Sequence, residues 1–270
     1  MNDHNRQFEH DYNDVWSKYR EQDSIVDYIS QRRIDRRVYY DLIQNYVDSF
    51  ANPLILELGC GTGIDICTVA EGNPQTRAFG SDISEKSIQL GVRVAKELSS
   101  KISYFVADTL NIPFDDNQID IVFSQGLVEH FEDPCLVIRE QTRVLKRGGI
   151  LIINVPQILT AYTLIKHKLM RLGEWELGWE TEFSYRGLKK IGRELRLLER
   201  EVCGYQYWKS WWEPTFILRD FYDKLYRRNP WRELQPFLSI KRSYDTFWKL
   251  LEKKWGHYFL QNIVIVFEKV

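Results

Sequence analysis

Residues 54–63 read Leu54-Ile55-Leu56-Glu57-Leu58-Gly59-Cys60-Gly61-Thr62-Gly63, and their reading decides the fold. The short apolar run predicts a strand buried on both faces. The alternating glycines that end it predict a tight turn whose bare backbone can approach a ligand. Residues 62–71 can then form a helix packed back on the sheet. The turn would stand at the carboxyl end of a parallel strand, where open α/β sheets bind ligands. A pyrophosphate loop more usually has the spacing G-x-G-x-x-G. Here a carboxylate, Glu57, precedes the first glycine, which suits a ligand that carries positive charge.

Downstream, residues 75–80 predict a second strand that ends at Ser81-Asp82-Ile83-Ser84. Asp82 falls 25 residues after Glu57, where the next strand of a βαβ unit delivers an acid to ribose hydroxyls. That position fits NAD or any adenosyl ligand. Asp108 follows the apolar strand 102–106, and Gln125-Gly126 follows the strand 119–124. Four successive strand ends thus carry polar or glycine residues, which lines a crevice across a doubly wound sheet. Ser84 is placed to cap the helix over 84–98. Asp133-Pro134 reads as cap and first residue of a helix over 133–146.

As a set these residues resemble a class I S-adenosylmethionine-dependent methyltransferase of the broad small-molecule group. The resemblance is carried by Glu57-Leu-Gly-Cys-Gly-Thr-Gly63, Asp82-Ile83-Ser84, the stretch from Ala107 to Asp115, the stretch from Phe123 to His130, and Leu145-Lys-Arg-Gly-Gly149. It covers roughly residues 50–156. It implies a seven-stranded, mostly parallel Rossmann-like sheet whose last strand is antiparallel. It also implies S-adenosyl-L-methionine as cofactor, held by Glu57, Gly59, Gly61 and Gly63 near its amino-acid part. Asp82 and Ile83 would take the ribose, Asp108, Thr109 and Leu110 the adenine edge, and Gln125 the sulfonium end. The acceptor is left undefined, because this family varies that side freely.

Composition narrows the class. The chain has 270 residues, 44% of them hydrophobic, enough for one α/β domain with insertions, and a formal net charge of −1 gives no bulk attraction to nucleic acid. Four cysteines without C-x-x-C spacing or paired histidines argue against zinc and against a disulfide framework, so a reducing cytoplasm is expected and no metal. The polar residues 1–10 lack the apolar core of a secretory signal, and no apolar run approaches a membrane span. Peripheral membrane contact stays open, and so does the oligomeric state. Pro134-Cys135 has the dipeptide of cytosine-C5 methyltransferases, but a helix start explains its proline. The strand end at Ser124-Gln125-Gly126 also lacks the Asn/Asp-Pro-Pro-Tyr of nucleic-acid amino-group methyltransferases.

Amphipathic spacing predicts leading helices over 8–20 and 24–47, the second punctuated by Arg32, Arg33, Arg36 and Arg37. Those arginines read first as a solvated basic face and second as an anion-binding patch. The chain divides into a helical cap over 1–50, the cofactor-binding α/β domain over 51–204 and 261–270, and an insertion over 205–260. Beyond the strand expected at 149–155 come a helix over 158–172, a Trp- and Glu-rich loop over 173–180, a helix over 184–195 and strands over 197–204 and 262–268. The insertion holds 17 of the 38 aromatic residues and 11 Lys+Arg against six Asp+Glu. It reads as a helical acceptor cap suited to stacking on rings or sugars beside an anionic group.

The expected activity is methyl transfer to a small-molecule, lipid or glycan-linked acceptor, at oxygen. A methyltransferase of RNA or protein, a non-catalytic binder of the same cofactor and, more weakly, a dehydrogenase are the alternatives. A sulfonium methyl is already activated, so alignment and water exclusion come before any base. Where a base is needed, Glu129 and His130 follow Gln125 closely enough to face the acceptor, and His130 has the ordinary pKa for the task. The other reading of that pair is a brace for the loop before Asp133.

Overall fold

A computed structural model describes residues 29, 32–33, 36–158, 160–174, 180–205, 224–226, 228, 234–258 and 260–270. The helix expected over 8–20, the tryptophans of the 173–180 loop, and residues 206–223 of the insertion lie outside the described residues. The described elements run α1 (Arg37–Val47), β1 (Leu54–Leu58), α2 (Ile64–Gly72), β2 (Arg77–Asp82), α3 (Glu85–Glu97), β3 (Ile102–Val106) and β4 (Ile119–Gln125). A 3-10 turn (Val128–His130), α4 (Pro134–Val144), β5 (Leu145–Pro156), α5 (Ala161–Leu172), α6 (Tyr185–Glu194) and β6 (Leu197–Tyr205) follow. The chain ends with α7 (Gln235–Trp255) and β7 (Asn262–Lys269).

The seven strands form one sheet in the order β3-β2-β1-β4-β5-β7-β6. β1 to β5 are mutually parallel, and β7 runs antiparallel to both β5 and β6. This is the doubly wound sheet expected from the sequence, with its antiparallel closing strand. Both faces are covered, which is why the central strands read as continuous apolar runs. Ile55, Ile121, Phe123, Ile150, Ile152, Val264 and Val266 pack under α1 and α2 through Tyr39, Ile43, Ile66 and Val69. Their alternates Leu56, Val122, Leu151, Ile153, Ile265 and Phe267 pack on the other face against Val137, Ile138 and Val144 of α4 and Leu188 of α6. The period-two pleat thus sorts one hydrophobic string into two cores.

Local signals set the helix starts. The Ser84 hydroxyl accepts from the Ser87 N–H at 3.2 Å, and the Asp133 carboxylate accepts from the Cys135 N–H at 2.9 Å with Pro134 as first helical residue. Ser184 caps α6 in the same way, accepting from the Gly187 N–H at 3.1 Å. Some boundaries move. β5 begins at Leu145, four residues before the expected start, because Leu145 pairs with Ile119 across an irregular register. The helix expected from residue 158 begins at Ala161, where the Thr160 hydroxyl accepts from the Thr163 N–H. The first shift depends on a partner distant in sequence, the second on a local cap.

The expectation for the arginines needs correcting. Arg32, Arg33 and Arg36 form neither a solvated face nor an open anion patch, because all three are bound to α2. Arg32 makes two hydrogen bonds to the Asp65 carboxylate at 2.9 and 3.1 Å, and Arg36 reaches it at 2.6 Å. Arg33 donates to the Thr68 hydroxyl at 3.1 Å and to Glu71 at 2.5 Å. Arg37 is the member that faces solvent, 81% exposed and 3.6 Å from Asp41. Docking to an acidic helix consumes the charge that periodicity alone leaves on the surface.

Candidate active site

Register brings the four strand ends to one edge. Leu58 pairs with both Ser81 and Ser124, and Asp82 pairs with Val106. The residues just beyond, Gly59, Ile83, Asp108 and Gln125, therefore share the carboxyl edge of the sheet. Gly59, Gly61 and Gly63 all adopt left-handed backbone, with φ of 64°, 50° and 69°. The sequence places glycine here for that reason. A Cβ on Gly59 would lie 2.9 Å from Leu127 Cδ1, and one on Gly63 would lie 2.9 Å from the Gly91 Cα. Leu127 at Gly59 and α3 at Gly63 approach too closely for a side chain at either position.

The Asp82 carboxylate holds this loop in place. One oxygen accepts from the Gly61 N–H at 2.9 Å and the other from the Ser84 N–H at 2.9 Å. Burial pushes the carboxyl above its ordinary range, and the Ser84 and Gly61 N–H groups pull it back. Glu57 lies deeper, 2% exposed, and accepts from the Ile66 N–H of α2 at 2.9 Å. Burial, then the neighbouring Asp65 charge, raises it well above the ordinary value. Asp108 accepts from the Leu110 N–H at 2.9 Å, which turns the chain beyond β3, with Thr109 buried and Leu110 exposed.

Above β1 and β4 lies a cluster that sequence reasoning missed. Asp65 gathers Arg32, Arg36 and the Tyr40 hydroxyl, the last at 2.5 Å. Burial alone would raise its carboxyl, but the two guanidinium groups hold it well below the ordinary range. Arg36 also donates to the amide oxygen of Gln125, tying α1 to the end of β4. Beside it the Tyr39 ring stacks on Tyr205 at 5.8 Å, and the Asn154 amide donates to the Tyr205 hydroxyl at 2.6 Å. The spacing of Arg32 and Arg36, one helical turn apart, was the available signal.

After Gln125 the chain turns through Gly126, whose φ is 66°, into the 3-10 turn. Glu129 points inward and is 2% exposed, and its Oε2 has no hydrogen-bond partner among the described residues. Burial pushes its carboxyl up to about 8, with Glu180 raising it further and Lys166 opposing. His130 is half-buried and closes the turn through its N–H to the Leu127 carbonyl at 3.2 Å. The Glu129 carbonyl accepts from the Thr181 N–H at 2.6 Å, so residues 180–183 lie across this turn.

Thr62 Oγ1 and Ser124 Oγ, at the glycine turn and the end of β4, are buried without partners among the described residues. A bare left-handed loop and a carboxylate with lone pairs to spare stand between them. These features fit the methyl donor that the sequence implied.

Residues 56–153 match a family model described as a methyltransferase domain. That match covers just over a third of the chain and agrees with the resemblance to class I S-adenosylmethionine-dependent methyltransferases read from the sequence. It is 35% identical over 101 residues to an ajmaline N-methyltransferase of Rauvolfia serpentina, covering 37% of this chain and 34% of that protein. It is 36% identical over 112 residues to a demethylmenaquinone methyltransferase of Bacteroides fragilis, covering 40% and 45%. The matched parts therefore span well under half of these relatives. In three dimensions it resembles the magnesium protoporphyrin IX methyltransferase of Synechocystis PCC 6803, solved with bound SAH. That likeness has a TM-score of 0.64 at 15% identity, over 99% of this chain and 100% of that one.

Proposed function

We propose that this methyltransferase carries a methyl group from S-adenosylmethionine to a small-molecule acceptor held beside Gln125 and Glu129. The observation that carries the reading is the tie between Asp82 and the Gly61 N–H. It fixes a left-handed glycine loop at the end of β1, next to the polar end of β4. When bound, the cofactor supplies a methyl already activated on a sulfonium. Gly59, Gly61 and Gly63 would let the loop backbone approach its amino-acid part, with Glu57 beneath the start of α2. Asp82 would turn its remaining lone pairs to the ribose hydroxyls, with Ile83 alongside. Asp108, Thr109 and Leu110 would border the adenine, and Gln125, held by Arg36, the sulfonium end.

The acceptor side would be formed by α1, α5 and residues 180–183 and, as expected from sequence, by the insertion over 205–260, whose residues 206–223 lie outside the described residues. Aromatic density there favours ring or sugar stacking, as in a lipid or glycan-linked acceptor, and the small-molecule relatives favour a small acceptor. Oxygen was the atom expected from sequence. Glu129, with His130 beside it, is the group in reach for handling the acceptor proton. No helix among the described residues is long and apolar enough to cross a membrane.

The test is incubation of a host small-molecule extract with the protein and isotope-labelled methyl donor, followed by mass spectrometry. A labelled small molecule is expected. Label found only in RNA or protein would favour a macromolecular acceptor, and no label at all despite tight S-adenosylhomocysteine binding would favour a non-catalytic binder.

A further inference from the structure

Around the 3-10 turn after β4, buried acids outnumber buried bases among the described residues. Lys166 of α5 is 1% exposed and reaches Glu180 at 3.2 Å and Glu182 at 3.3 Å. Glu180 is buried, its side chain 3% exposed, and Glu182 has a side chain 18% exposed that also meets His167 at the rim. The single ammonium is thus already shared between two carboxylates. Glu129 adds a third, buried carboxylate that feels both Glu180 and Lys166 and that no described cation faces directly. Its Oε2 is without a partner among the described residues, and its Oε1 lies 3.7 Å from where a Cβ on Gly126 would stand. Gly126 itself is anchored to β5, its N–H donating to the Asn154 carbonyl at 3.0 Å.

A buried carboxyl that is stabilised by its own backbone N–H but keeps one oxygen unpartnered among the described residues is costly to hold in a fold unless something that binds there completes it. A hydroxyl acceptor completes it poorly, because losing its proton would set an oxyanion beside the carboxylates. A protonated amine completes it well, because it brings both N–H donors and the missing positive charge. Resting on the methyltransferase reading above, we infer that the acceptor carries a basic amine, and that Glu129 receives that amine at the end of β4. This departs from the oxygen expected from sequence.

The chemistry balances without a further reactant. The Glu129 carboxylate takes a proton from the ammonium, and the freed nitrogen lone pair forms the new bond to the methyl carbon. The electron pair of the broken carbon–sulfur bond stays on sulfur, which leaves as the neutral thioether. The product is a methylated ammonium, and Glu129 returns its proton to solvent. Burial that lifts the carboxyl towards the range of amines suits it to this exchange.

Two probes of the same shape separate the charge from the ring: phenethylamine and 2-phenylethanol, titrated calorimetrically into protein saturated with S-adenosylhomocysteine at pH 7.5. The amine is expected to bind about tenfold or more tightly than the alcohol, and Glu129→Gln to abolish that difference while keeping its S-adenosylhomocysteine affinity. Equal binding of the two probes, or a preference that survives Glu129→Gln, overturns the inference. The sulfonium of the donor is the other cation available to Glu129. A loss of S-adenosylmethionine affinity alone in Glu129→Gln, with no amine preference in the parent protein, assigns the residue to the donor instead. Failure of the parent protein to bind S-adenosylhomocysteine would sink the methyltransferase reading itself. Folding of the variant is checked by its melting curve, and Glu129→Asp, which keeps the charge, should retain part of the amine preference.

Discussion

Nη1 of Arg36 stands 2.6 Å from Oδ2 of Asp65, and the same nitrogen donates to the Gln125 amide oxygen. One side chain thereby joins the leading helix, the helix after the glycine loop and the end of β4. Removing Asp65 would leave Arg32 and Arg36 poorly compensated in a half-buried site. Asp65→Ala is expected to cost roughly 3–5 kcal/mol, as for breaking other buried ion pairs, read as a lower urea midpoint at pH 7. The carboxyl is held below its ordinary range, so its stabilisation is present above the unfolded value and is lost as pH falls through the folded one. The gap between parent and Asp65→Asn should therefore narrow below about pH 4. An unchanged urea midpoint would show that the clamp holds nothing.

Gly63 and Gly148 have similar backbone, with φ of 69° and 75°, but different surroundings. A Cβ on Gly63 meets the Gly91 backbone at 2.9 Å, whereas one on Gly148 meets nothing within 4 Å. Gly148→Ala should cost about 1–2 kcal/mol for the left-handed conformation alone. Gly63→Ala should cost more and weaken S-adenosylhomocysteine binding as well. Equal melting temperatures for the two variants would contradict the close approach of α3.

Asp82→Ala is expected to lower S-adenosylhomocysteine affinity by roughly 10- to 150-fold, the value of one or two charged hydrogen bonds. The same variant should melt lower without ligand, because the Gly61 and Ser84 N–H groups lose their acceptor. Calorimetry and a melting curve on one sample separate the two losses. Unchanged affinity would remove Asp82 from the ribose.

Glu129 runs opposite to Asp65. Its carboxyl is raised from 4.5 to about 8 in the fold, so it costs stability as pH rises through that window and costs no more above it. Glu129→Gln should therefore be more stable than the parent above pH 5, by up to a few kcal/mol near pH 8. Urea unfolding at pH 5, 7 and 8.5 measures the gap. A gap independent of pH would mean that Glu129 does not titrate within the window.

His130 follows Glu129 on the same turn. If it takes the acceptor proton, His130→Gln should lower turnover about 10²-fold with cofactor affinity intact. If it braces the turn, melting temperature and affinity should fall together. Full activity would exclude both roles.

The sequence by itself determined the sheet and the glycine loop, because both are written in local chemistry. Alternating burial, three glycines forced into left-handed backbone, and caps at Ser84 and Asp133 each act within a few residues. It also placed Asp82, Asp108 and Gln125 at strand ends, since a βαβ unit fixes where each strand must stop. Only the tertiary structure decided what the charges do. Arg36 meets Asp65 across 29 residues and Gln125 across 89, and Glu129 is buried against a segment some 50 residues on. Helical spacing gives the same basic stripe whether it faces water or an acidic partner. A glutamate is likewise read as solvated until packing removes the water, so its altered protonation is a property of the fold and not of the local sequence.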